Sequence, residues 1–177
     1  MSPAFGLASR CQSGDDVASL VPSSARPLTE KLKQAYAATT FTARLPGGEL
    51  RLRVGGHHPE LDALLEGRGL LEWAYITAHN PGSVPTDPVL NAQAHGRLMG
   101  EVARRGFECY EGSGIPDDPG WLPERSVLIL GIPEKEALVT GARFGQLAIV
   151  VGTRGEPARL VASFSSDGDD GSEDRCG

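Results

Sequence analysis

The chain has 177 residues, 40% of them hydrophobic and 23% charged, which is the length and balance of one globular domain. A fold of that size buries roughly 70% of the surface its unfolded chain exposes, so stability supplies no argument for a metal, a disulfide framework or a cofactor. The net charge of -6 is concentrated in the last stretch, where Asp167, Asp169, Asp170, Glu173 and Asp174 face only Arg175; the arginines of the body are scattered, which disfavours a nucleic acid held by its phosphates.

Residues 1–26 are rich in Ser, Gly, Ala and Asp without sustained periodicity and are expected to be disordered, as is the acidic stretch 165–177. Between them, 27–164 is expected to form one domain. Leu28, Leu32 and Ala35/Tyr36 recur at helical spacing. Phe41–Leu45 and Leu50–Val54 alternate apolar with polar around Pro46-Gly47-Gly48-Glu49, the clearest hairpin of the chain. Pro59 opens a helix through Leu65 that stops near Gly67 to Gly69. Leu70–Thr77 is almost continuously apolar, as a central strand covered on both faces would be.

Thr86 or Asp87 caps the longest helix, whose Leu90, Ala94, Leu98 and Val102 recur every four residues as far as Arg105-Gly106. Phe107–Tyr110 reads as a short strand, and Glu111–Pro123, full of Gly, Pro and Asp, as a loop. Ser126–Leu130 is a buried strand. A helix starts at Pro133 with acidic residues in its first turn and runs to about Phe144 before Gly145. Leu147–Val151 and Arg159–Ala162 give the last two strands. The order αββαβαββαββ, with a hairpin at each end, predicts an α+β fold in which helices pack on a mixed β-sheet.

The three cysteines, Cys11, Cys109 and Cys176, make no readable disulfide framework. No charged segment followed by an apolar run opens the chain, and no apolar stretch of about 18 residues occurs. A cytoplasmic protein without membrane contact is the expectation.

Four segments, Ala35-Tyr36-x-x-Thr39-Thr40-Phe41, Tyr75-Ile-Thr-Ala-His-Asn80-Pro81, Trp121-x-Pro123-Glu124-x-Ser126 and Arg143-Phe-Gly-Gln146, stand in an order and spacing that together resemble the bacterial DUF3293 family over residues 32–161. The resemblance implies a domain of unknown function with no assigned reaction. Leu90, Ala94 and Leu147 stand where the family tends to carry Glu, Arg and Asn. Each exchange replaces a polar side chain by an apolar one, so an activity that used those groups would be altered or lost here.

Three polar groups fall where strands begin or end, the usual place for ligand sites in sheet folds. They are Thr77 and Asn80 (with His79), Trp121, Glu124 and Ser126, and Arg143 with Gln146; Asn91, on the helix that follows, joins the ligand-binding candidates. Glu124 is the candidate acid or base, Asn80 and Gln146 would orient a polar ligand, and Trp121 would close over it. A purely structural account has Asn80-Pro81 start a turn, Glu124 pair with Arg143, and Gln146 satisfy loop carbonyls. The partner is then a small molecule or, on a competing reading, another protein.

Other chemistries fail on spacing. His57, His58, His79 and His95 make no H-x-x-x-H pair, His95 falls off the Leu90 stripe, and no C-x-x-C exists, so no metal is expected. Cys109, between Glu108 and Tyr110, suits a core thiol better than a nucleophile. Ser126 lacks the G-x-S-x-G elbow. Gly112-Ser-Gly114 meets neither phosphate-loop pattern, Asp117-Asp118 reads as a surface turn, and Gly112–Gly120 is a candidate lid.

Overall fold

The computed structural model describes residues 28–163; the terminal stretches expected to be disordered, 1–26 and 165–177, lie outside the described residues. The elements are α1 (Glu30–Ala37), β1 (Thr39–Leu45), β2 (Gly48–Leu52), α2 (Pro59–Glu66), β3 (Glu72–Thr77), a 3-10 turn (Pro81–Ser83), α3 (Pro88–Arg104), β4 (Cys109–Pro116), β5 (Glu124–Leu130), α4 (Glu134–Arg143), β6 (Ala148–Thr153) and β7 (Arg159–Ala162). The seven strands form one sheet in the order β2-β1-β4-β5-β3-β6-β7. The α+β fold and the expected element order are both found. The mixture is of helices with strands and not of strand directions, because every pairing in the expected mixed sheet is antiparallel.

Alternation along the strands gives the sheet two apolar faces. One carries Phe41, Leu52, Trp73, Tyr75, Leu128 and Val150 under Leu61 and Leu65 of α2, with Tyr36 of α1 packed beside them. The other carries Ala74, Ile76, Val127, Ile129 and Ile149 under Ala94, Leu98 and Val102 of α3 and Ala137 of α4. β3 is therefore covered on both sides, as its apolar run requires. The sheet also curls until its edges touch. The Gly55 N–H donates to Ala158 O at 2.8 Å, and the Ala158 N–H to Gly56 O at 2.9 Å, joining the segment that leaves β2 to the one that leads into β7.

Three local expectations are corrected. The hairpin turn is only Pro46-Gly47, since Leu45 already pairs with Gly48. The Glu111–Pro123 loop is shorter than its composition implied: β4 continues to Pro116, paired with β1 on one side and β5 on the other, so Gly112–Pro116 is sheet and not lid. Gly112 is required there because a Cβ would stand 1.6 Å from Thr42 O, a close approach that only glycine permits. On α3 the buried face is Asn91, Ala94, His95, Leu98 and Val102, while Leu90 is 55% exposed. A four-residue repeat drifts against the 3.6-residue turn, which carries Leu90 outward and brings His95, read as lying off the apolar stripe, into the core.

Candidate functional site at one end of the sheet

Antiparallel pairing brings the starts of β1, β5 and β6 and the ends of β3 and β4 to the same end of the sheet. Thr77, at the end of β3, lies opposite Ser126 of β5. The chain then turns sharply through Asn80 and Ser83, non-glycine residues at φ 48° and 56°. Such strain persists only where surrounding contacts over-determine it. The contacts here are those of Asn80: its main-chain N–H donates to Asn91 Oδ1 at 2.9 Å, its Oδ1 accepts from Thr86 N–H and Asn91 Nδ2, both at 3.0 Å, and its Nδ2 donates to Glu124 Oε1 at 2.6 Å. Asn91 Nδ2 also reaches Thr86 O at 3.2 Å, and Asp87 caps α3 by accepting from the Val89 and Leu90 N–H groups.

Glu124 is half-buried and its hydrogen bond comes from a neutral amide. Burial pushes its carboxyl above the ordinary carboxylate range, and the Asn80 bond offsets this only in part. Tyr36 of α1 adjoins it: burial, and then the Glu124 charge, push that phenol up to about 12. The Ser126 hydroxyl donates to Glu124 O at 3.0 Å, and Thr77 Oγ1 donates to Arg125 O at 2.8 Å while accepting the His79 N–H at 3.0 Å. Gln146 Nε2 donates to His79 O at 2.9 Å. Thr77, Asn80, Asn91, Glu124, Ser126 and Gln146 thus gather at one end of the sheet.

Two candidates stand apart. Arg143 turns its guanidinium to Glu101 of α3, at 2.6 Å, so the Glu124–Arg143 pair of the structural account is not formed. Trp121 is 52% exposed, and its main-chain N–H donates to Asp118 O at 3.1 Å. The loop before it is anchored by Asp117, whose carboxylate takes both terminal nitrogens of Arg53 at 2.7 and 2.9 Å.

Behind the cluster lies a second group that spacing did not reveal. His95 Nε2 is 3.0 Å from Glu111 Oε1, the same oxygen that accepts from Arg125 Nη2 at 2.7 Å, and the His79 and His95 rings meet edge to face at 6.1 Å. Tyr36 was also missed, having been read only as part of an apolar face; its place in the Ala35-Tyr36 motif was the available signal. Burial raises the Cys109 thiol, with Glu111 and Glu108 adding to the effect, which fits a packed thiol and not a nucleophile. Among the described residues no three His, Cys, Asp or Glu side chains converge as a metal site.

Residues 76–149 match the family model described as "Protein of unknown function (DUF3293)". No curated protein and no solved structure matches the chain. The match takes in Thr77, Asn80, Asn91, Trp121, Glu124, Ser126, Arg143 and Gln146, and the likeness to the DUF3293 family is thereby shown over residues 76–149.

Proposed function

We propose that the protein binds a small, uncharged polar molecule at this end of the sheet, with Glu124 as the group that hydrogen-bonds it and exchanges a proton with it. The observation that carries this reading is a half-buried carboxyl with no cationic partner among the described residues, raised by burial and held by one amide. A carboxyl raised in this way can donate as well as accept, which suits it to proton transfer. Asn80 fixes it in place, and Asn91 and Thr86 fix Asn80.

A competing reading, that the same end docks a protein, draws on a separate observation. Six of the eight exposed large apolar side chains of the described residues, Val84, Val89, Leu90, Ile115, Trp121 and Leu122, belong to the segments that meet there. Exposed apolar side chains that cluster in this way are a mark of interaction surfaces. On either reading the working unit is 27–164 in a bacterial cytoplasm, with no nucleic-acid partner; no helix of the described residues is long and apolar enough to cross a membrane.

A thermal-shift screen of the full chain against nucleotides, sugars, amino acids and cofactors tests the first reading. A ligand at a hundred times its Kd adds about 2.7 kcal/mol and moves the midpoint of a chain this size by about 5–10 °C. Glu124→Gln is expected to keep the fold, because a glutamine oxygen accepts the same Asn80 bond, and to lose the ligand response. An equal response in the variant would remove Glu124 from the site. A flat screen, with a protein partner retained by the unaltered chain and lost by Leu122→Asp, would favour the second reading.

A further inference from the structure

His79 leaves the end of β3, and His95 projects from α3; their rings lie 6.1 Å apart with planes at 89°. His95 is 2% exposed. One nitrogen of each ring, His79 Nε2 and His95 Nδ1, is buried without a hydrogen-bond partner among the described residues. A neutral ring tolerates an unpaired nitrogen at modest cost, whereas an imidazolium places a charged N–H where nothing accepts it.

Around His79 that charge is not compensated. β5 contributes Arg125, which repels it, and α3 contributes the other histidine. β4 contributes Cys109, a neutral thiol, and Glu111, whose nearer oxygen is already occupied by His95 and Arg125. Glu124 lies beyond Asn80, which binds it. The main chain of His79 is meanwhile part of the site's frame: its N–H donates to Thr77 Oγ1, its carbonyl accepts from Gln146, and the next residue is Asn80.

We propose that the His79–His95 pair is an acid-operated latch, which holds the end of β3 against α3 while the His79 ring is neutral and releases the Asn80 turn when His79 takes up a proton. The latch does not depend on what the site binds. Burial, then the facing His95 and Arg125, hold the His79 imidazole below its ordinary value. When the turn opens, His79 regains that value of about 6.5, so below it the open form binds more protons than the closed one. Closure is therefore fully favoured above the ordinary histidine value and weakens as pH falls through it.

Hydrogen exchange on the full chain, corrected for the intrinsic pH dependence, tests this. The reporters are the Asn80 and Thr86 amides, both bonded to side chains of the cluster, with the β3–β6 ladder at Tyr75 and Val150 as internal reference. Between about pH 7.5 and about pH 5.5, one unit below the ordinary value, protection at Asn80 and Thr86 is expected to fall relative to the ladder, by at most about tenfold. In His79→Gln the fall should vanish. Unchanged protection, or the same fall in the variant, overturns the latch. If the variant does not fold, the His79 ring is titrated by NMR in the unaltered chain: a midpoint below the ordinary value, tracked by the two amides, upholds the proposal, and one at or above it overturns it.

Discussion

Asn80 holds together the end of β3, the start of α3 and the start of β5, through four hydrogen bonds made from a left-handed backbone. Asn80→Ala removes the three that use its side chain, at about 1 kcal/mol for each bond, and puts alanine into a left-handed backbone it tolerates less well than asparagine, at up to about 1 kcal/mol more. A loss of about 4 kcal/mol in urea unfolding is expected, and Asn80→Gly should recover about 1 kcal/mol of it by relieving the backbone alone. The turn itself was legible in the Asn-Pro pair. Its partner was not, since Glu124 stands 44 residues away and no local pattern reports such a contact. Arg143 shows the same limit from the other side: a cation at a helix end next to a candidate site was a reasonable partner for Glu124, and its choice of Glu101 was decided by how α3 and α4 pack.

Among the elements, those with a clear period or a proline and glycine boundary were readable: the first hairpin, α2 after Pro59, the doubly covered β3 and α4. β4 was hidden because Gly112, Gly114 and Pro116 carry the composition of a loop, whereas glycine at Gly112 lets β1 approach closely and leaves room for the Tyr75 hydroxyl, which donates to Thr42 O at 2.6 Å. A methyl at Gly112 would lie 1.6 Å from Thr42 O and 2.8 Å from that hydroxyl. Gly112→Ala is therefore expected to cost about 3 kcal/mol or more, or to abolish folding, by overpacking between paired strands. Gly100→Ala, on the exposed side of α3 with nothing near its Cβ, is the matched control and should gain about 0.5–1 kcal/mol from helix propensity. Melting curves followed by circular dichroism separate the two.

For the molecule as a whole, the order of elements and the α+β class could be read from the chain, while the order of strands across the sheet could not, because each antiparallel neighbour beyond a hairpin is chosen by tertiary packing. The contact between the sheet's two edges was likewise invisible, resting on the main chain of Gly55, Gly56 and Ala158. Ala158→Pro deletes the N–H that binds Gly56 O and crowds a position only 2% exposed. It should cost about 3 kcal/mol in denaturant unfolding while leaving the β1–β2 and β3–β5 pairs intact in hydrogen exchange.

That joining of the edges also bears on the order of assembly. The hairpins β1–β2 and β6–β7 are local and need little chain closure, but the bond between Gly55 and Ala158 spans most of the described chain and forms only when every strand between them is in register. It is expected to be the last contact to close in folding and the first to open in partial unfolding. Until it closes, the outer edges of β2 and β7 expose unpaired main-chain groups to other copies. Refolding yield should accordingly fall with protein concentration, and the loss should be greater in Ala158→Pro.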